Sequence, residues 1–69
     1  MNTENEIIRE MIDARLRAGL FQRELAELMS TSQSTISRLE SGRDMPLINT
    51  LIKLAEVTGH RLEVRLVPV

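Results

Sequence analysis

Between Phe21 and Gly42 (FQRELAELMSTSQSTISRLESG) two short runs with a helical apolar rhythm are joined by only a few small polar residues. In the first run, Gln22 to Met29, the residues Leu25, Leu28 and Met29 recur at helical spacing with Ala26 beside them. Arg23, Glu24 and Glu27 take the other side. Ser30-Thr31-Ser32 favours a turn and a new helix start. Ser32 is suited to cap a second helix beginning at Gln33, because its hydroxyl can accept from a backbone N–H of the first turn. Within that helix Ile36 and Leu39 form the apolar pair. Gly42 stands where a helix C-terminus favours a residue that tolerates positive φ.

The second helix carries the functional signal. Its outward positions are Gln33, Ser34, Thr35, Ser37 and Arg38, short or amide-bearing at the front with an arginine one turn later. Gln can bond the N6/N7 edge of adenine, Arg can fork onto guanine, and Ser or Thr can bond several base edges or phosphates. A merely solvated face more often carries Glu, Lys and Ala, which favour helix and solubility. Here poor helix formers occupy exposed positions where packing does not require them. The alternative is a capping region followed by an ordinary surface.

These residues resemble the helix-turn-helix of the phage-repressor and Cro-like family, also called the XRE family. The likeness is carried by Gln22, Glu24-Leu25-Ala26, Ser32-Gln33-Ser34-Thr35-Ile36-Ser37, Leu39-Glu40 and Gly42, then Pro46 and the segment from Leu51 to Gly59. The family usually has Gly where Ser30 stands, and Ser or Thr as the cap where Phe21 stands. A Cβ at Ser30 costs roughly 1 kcal/mol if φ is positive there. The resemblance implies a lambda-repressor-like, mainly α bundle of about four helices that binds double-stranded DNA. Base edges fall to Gln33, Ser34, Thr35 and Arg38, and phosphates to Gln22 and Ser37. Arg43, Asn49 and Thr50 stand where family members touch phosphate beside the motif, although ordinary loop and helix-start polarity accounts for them equally well.

The chain has 69 residues and no cysteine, which limits it to one small domain without a disulfide. Such domains are marginal alone, and oligomerisation is one remedy. No run approaches the ~20 apolar residues that cross a bilayer, and the polar start MNTENE is no signal peptide, so a cytoplasmic location is expected. Nine basic and ten acidic side chains give a net charge of −1, against the basic footprint usual for nucleic-acid binding. The acids gather at the start (Glu4, Glu6, Glu10, Asp13), whereas Arg15, Arg17, Arg23, Arg38 and Arg43 lie in or around the motif. Nonspecific DNA binding, which is electrostatic, should then be weak. A single aromatic residue, Phe21, argues against a stacking platform for single strands.

Thr3 and Glu6 form a capping-box pattern ahead of a helix expected from Glu4 to Ala18, with Ile8, Met11, Ile12, Arg15 and Leu16 near one face and Ile7 beside it. Arg17 is best read as pairing with Asp13, and Arg15 is open between phosphate and a structural role. Glu40 is structural, with Arg23, Arg38 or Arg43 as its partner. Pro46 fits near the first turn of a last helix, Leu47 to Thr58. There Leu47, Leu51, Leu54 and Ala55 have core spacing, and Ile48, Ile52 and Val57 add a second stripe that suggests a twin subunit.

From His60 the period changes. Leu62, Val64 and Leu66 alternate with Arg61, Glu63 and Arg65, the pattern of a half-buried strand ended by Pro68. With no second strand in the chain, its backbone groups need an outside partner, most simply the same segment across a two-fold axis. Residues 1–59 are thus read as the helical DNA-binding part and residues 60–69 as a dimerisation strand of the same domain.

Helices followed by a short pairing strand resemble the DNA-binding antitoxins of bacterial toxin–antitoxin modules, of the HipB and HigA kind. That resemblance implies a homodimeric repressor of its own operon on a palindromic operator, with a cognate toxin as a second partner. A phage-type or restriction-controller regulator without a toxin is the alternative. No membrane partner and no cofactor are expected. One histidine, His60, no metal spacing, no Gly-rich phosphate loop and no activated nucleophile make an enzyme the least favoured class.

Overall fold

A computed structural model describes residues 3–69. Its elements are helices α1 (Thr3–Arg17), α2 (Gln22–Leu28), α3 (Gln33–Glu40) and α4 (Ile48–Val57). In α1, Ile7, Met11 and Ala14 place one apolar stripe inward at i, i+4, i+7. Its early acids Glu4 and Glu6 and late Arg15 and Arg17 complement the helix dipole. Thr3 is already helical and so is not the cap expected of it; the residue ahead lies outside the described residues.

One core serves all four helices. Met11 and Ala14 of α1, Leu25 and Ala26 of α2, Ile36 and Leu39 of α3 and Leu54 of α4 are buried together, and Ile7, Leu20, Met29, Leu51 and Val57 pack around them. Leu25 and Ile36 are fully enclosed. α3 lies against α2 and α1, and α4 closes over α1 and α2. The short α3 is therefore clamped by its inner residues while its outer side is left bare.

Each helix ends in the same crossed pair of backbone hydrogen bonds, a Schellman closure that satisfies carbonyls of the last turn. After α2 the Ser30 and Thr31 N–H groups donate to the Glu27 and Ala26 carbonyls at 3.1 and 2.9 Å. The left-handed position is glycine in the other three closures and Ser30, φ 56°, in this one. Ser30 thus accepts with a Cβ the conformation expected of the turn.

Several expectations change. Leu47 is 73% exposed, because it caps α4 and does not take the core position its spacing suggested. Leu16 on α1 and Ile48 and Ile52 on α4 are also exposed, whereas Val57 of the expected second stripe joins the core. The C-terminal segment corrects the reading most. Among the described residues no strand forms, and 60–69 run without regular secondary structure. A strand is a pairing, and the single chain offers that segment no second strand. Leu62 is half-buried, but Val64 and Leu66 are open to solvent, so the alternation does not make a buried face within one chain.

Candidate nucleic-acid interface

α3 begins as its sequence requires. Ser32 is extended (φ −94°, ψ 154°), and its Oγ accepts from the Thr35 N–H at 3.1 Å. The same oxygen lies 2.8 Å from Thr35 Oγ1 and 3.1 Å from Ser34 Oγ. Three hydroxyls thus meet at the first turn, where free N–H groups and the positive end of the helix dipole favour an anion. At about 100° per residue, Gln33, Ser37, Ser34 and Arg38 share one arc of the helix, opposite Ile36 and Leu39. All four are exposed. Thr35 falls beside the arc, half-buried, on the side toward α4.

Glu40, at the end of α3, holds the helix in place. Its carboxylate accepts from Arg15 Nε and Nη2 of α1 at 2.8 and 2.9 Å. It also accepts from Gln22 Nε2 of α2 at 3.1 Å. Arg15 Nη1 donates in turn to the Leu20 carbonyl at 3.0 Å. The Arg15 and Glu40 side chains are only 13% and 5% exposed. Arg23, Arg38 and Arg43 are therefore not the partners of Glu40: it lies on the inward flank of α3 facing α1, and Arg15 is the arginine within reach. Arg15, left open by its spacing, is occupied structurally. A carboxylate only accepts, so the bond to Glu40 fixes which end of the Gln22 amide faces inward and leaves its second N–H to point elsewhere.

Arg38 is held outside the core. Its Nε and Nη2 donate to the two Asp44 oxygens at 2.8 and 3.1 Å. The hydrogen bond to Arg38 holds the Asp44 carboxyl below its ordinary range, and the reciprocal bond raises Arg38. Nothing in the spacing of Arg38 and Asp44 announced this pair, which depends on the turn after α3.

Thr35, Arg43, Asn49 and Thr50 are brought together. With Thr31 and Lys53 they line an open hollow of about 680 Å³ beside the exposed arc. Lys53 was not singled out from sequence, although its position one turn after Asn49 on α4 was a usable signal. Leu62 and Val64 line a second hollow, about 580 Å³, with Ile7 and Met11 of α1 and Ile48 and Leu51 of α4. Leu66 lies outside it and is fully exposed. Arg17 is drawn not to Asp13 but to His60: its Nη1 is 3.0 Å from His60 Nε2, and His60 Nδ1 is 3.1 Å from Thr58 Oγ1. No described helix is long and apolar enough to cross a membrane.

The profile of a family described as helix-turn-helix matches residues 11–63. The chain is 33% identical over 63 residues to an uncharacterized HTH-type transcriptional regulator of Haemophilus influenzae. That alignment covers 91% of this chain and 64% of the relative, so the chain spans less than two thirds of the relative's length. No solved structure matches the chain.

Proposed function

The chain belongs to the helix-turn-helix family, and on that premise we propose that it is a sequence-specific DNA-binding repressor of transcription. The observation that carries the reading is the bare outer arc of α3, where Gln33, Ser34, Ser37 and Arg38 stand exposed on a helix locked to α1 and α2 through Glu40. Rigid placement suits a helix that must meet a fixed pattern of donors and acceptors in a major groove. Gln33, Ser34, Thr35 and Arg38 meet base edges. Gln22, Ser37, Arg43, Asn49 and Thr50 hold phosphates and set the register. The hollow that gathers Thr35, Arg43, Asn49 and Thr50 supports placing these residues on one contact surface.

The protein works as a homodimer on a palindromic operator, its two α3 helices about 34 Å apart. Support comes from apolar surface that one chain leaves uncovered: Val64, Leu66, Val67 and Val69 in the last segment and Ile48 and Ile52 on α4. In the dimer, residues 62–66 pair with their copy, which supplies the ladder that a single chain lacks. The same uncovered surface supports the antitoxin form of the reading, in which the repressor also binds a cognate toxin and regulates their shared operon. A mobility-shift assay with DNA from upstream of its own gene tests operator binding, and a toxin reading frame beside that gene tests the antitoxin form. A specific complex abolished by Gln33→Ala is expected. A complex indifferent to that change, or none at all, counts against the reading.

A further inference from the structure

An acidic side chain on a surface that faces DNA calls for a reason. Asp44 lies in the turn after α3, in contact with Arg38 of the exposed arc, where a lone carboxylate would repel phosphate. Its position is fixed twice. Its backbone N–H donates to the Arg38 carbonyl at 3.3 Å, and its two side-chain oxygens accept from Arg38 Nε and Nη2. Stability does not explain the arrangement, since the two side chains are 54% and 44% exposed and solvated ion pairs add little.

The geometry of the pair is more informative than its energy. A guanidinium offers two forked edges, one through Nε and Nη2 and one through Nη1 and Nη2. Asp44 takes the first. No contact among the described residues engages Nη1. The open edge is the fork that fits O6 and N7 of guanine, and a long side chain already held in one orientation loses less freedom on binding.

We infer that Asp44 is a positioning residue for base reading: by holding the Nε–Nη2 edge of Arg38 it presents the Nη1–Nη2 edge to a guanine in the major groove. The ion pair persists in the DNA complex, and Asp44 itself touches no base. Its charge is cancelled by Arg38, so it does not weaken the contact with phosphates nearby. This rests on the proposed role of α3 as the base-reading helix.

The test compares the wild-type protein with Arg38→Ala, Asp44→Asn and the double variant, each used to select from randomised duplexes about 30 base pairs long, enough for two half-sites one turn apart. Base frequencies at each position of the bound pool are the readout, with thermal unfolding to confirm that each variant is folded. The wild-type protein should prefer guanine on the order of tenfold at one position of each half-site. Arg38→Ala and Asp44→Asn should both flatten that one position, with the others retained, and the double variant should add nothing further. If Arg38→Ala flattens a position that Asp44→Asn leaves intact, the positioning role is overturned while base reading by Arg38 stands. A uniform gain in affinity for Asp44→Asn, with guanine preference kept, likewise overturns it, because Asp44 would then act only by repelling phosphate. If Arg38→Ala alters no position, base reading by Arg38 fails and the inference fails with it.

Discussion

Ser30 shows how local a conflict can be. Its φ of 56° is the left-handed conformation that the other three helix closures assign to glycine, and no hydrogen bond of its side chain offsets the strain among the contacts described. Ser30→Gly should raise stability by about 1 kcal/mol, read as a higher thermal midpoint with DNA binding unchanged. Gln33 and Arg43 separate two kinds of contact. Gln33→Ala should cost ~1–3 kcal/mol at one base position, whereas Arg43→Ala should weaken all sequences alike and lower the salt slope by about one. Competition titrations at several salt concentrations distinguish them. Asp44 supplies a pH test. Its folded carboxyl lies below the unfolded value because of the Arg38 hydrogen bond, so the pair contributes above the ordinary carboxylate range and is lost as pH falls through the lowered folded value. In Arg38→Ala the Asp44 carboxyl should titrate at higher pH, which carboxyl-carbon NMR can follow.

At the scale of elements, one carboxylate ties three helices together. Replacing Glu40 with Gln leaves the largely buried Arg15 without its counter-charge and should cost about 3 kcal/mol, seen as a lower denaturant midpoint. The helices and the capping of α3 by Ser32 were legible in the sequence because they depend on local chemistry: apolar spacing, a hydroxyl before a helix, a glycine after one. The partner of Glu40 was not legible. It depends on how α1 crosses α3, and Arg15 is remote along the chain while Arg38 and Arg43 are near. Leu47 misled for a related reason, since its spacing matched the core stripe but its place is one residue before α4 begins. Asp44 carried no sequence signal as a partner for Arg38, because that contact is made by the turn between α3 and α4.

For the whole molecule, the alternating pattern after His60 was readable and its consequence was not. Alternation reports the faces of a strand, but the strand exists only when something pairs with it, and the isolated chain leaves Val64 66% and Leu66 99% exposed. The proposed homodimer would account for both facts. Sizing should find a dimer for the wild-type protein and a monomer with weakened operator binding for Val64→Pro; a wild-type monomer that binds its operator at full strength would rule out the paired arrangement. A net charge of −1 offers little general attraction to a polyanion, so the proposed DNA affinity rests on placed contacts. Placement of α3 in the major groove is therefore the claim on which the functional account turns. Methylation interference at guanine N7, on the duplex most enriched by the wild-type protein, tests it directly. Methylation should block binding at guanines clustered in two half-sites one turn apart on one face of the duplex. Undiminished binding to DNA methylated throughout those half-sites would contradict it.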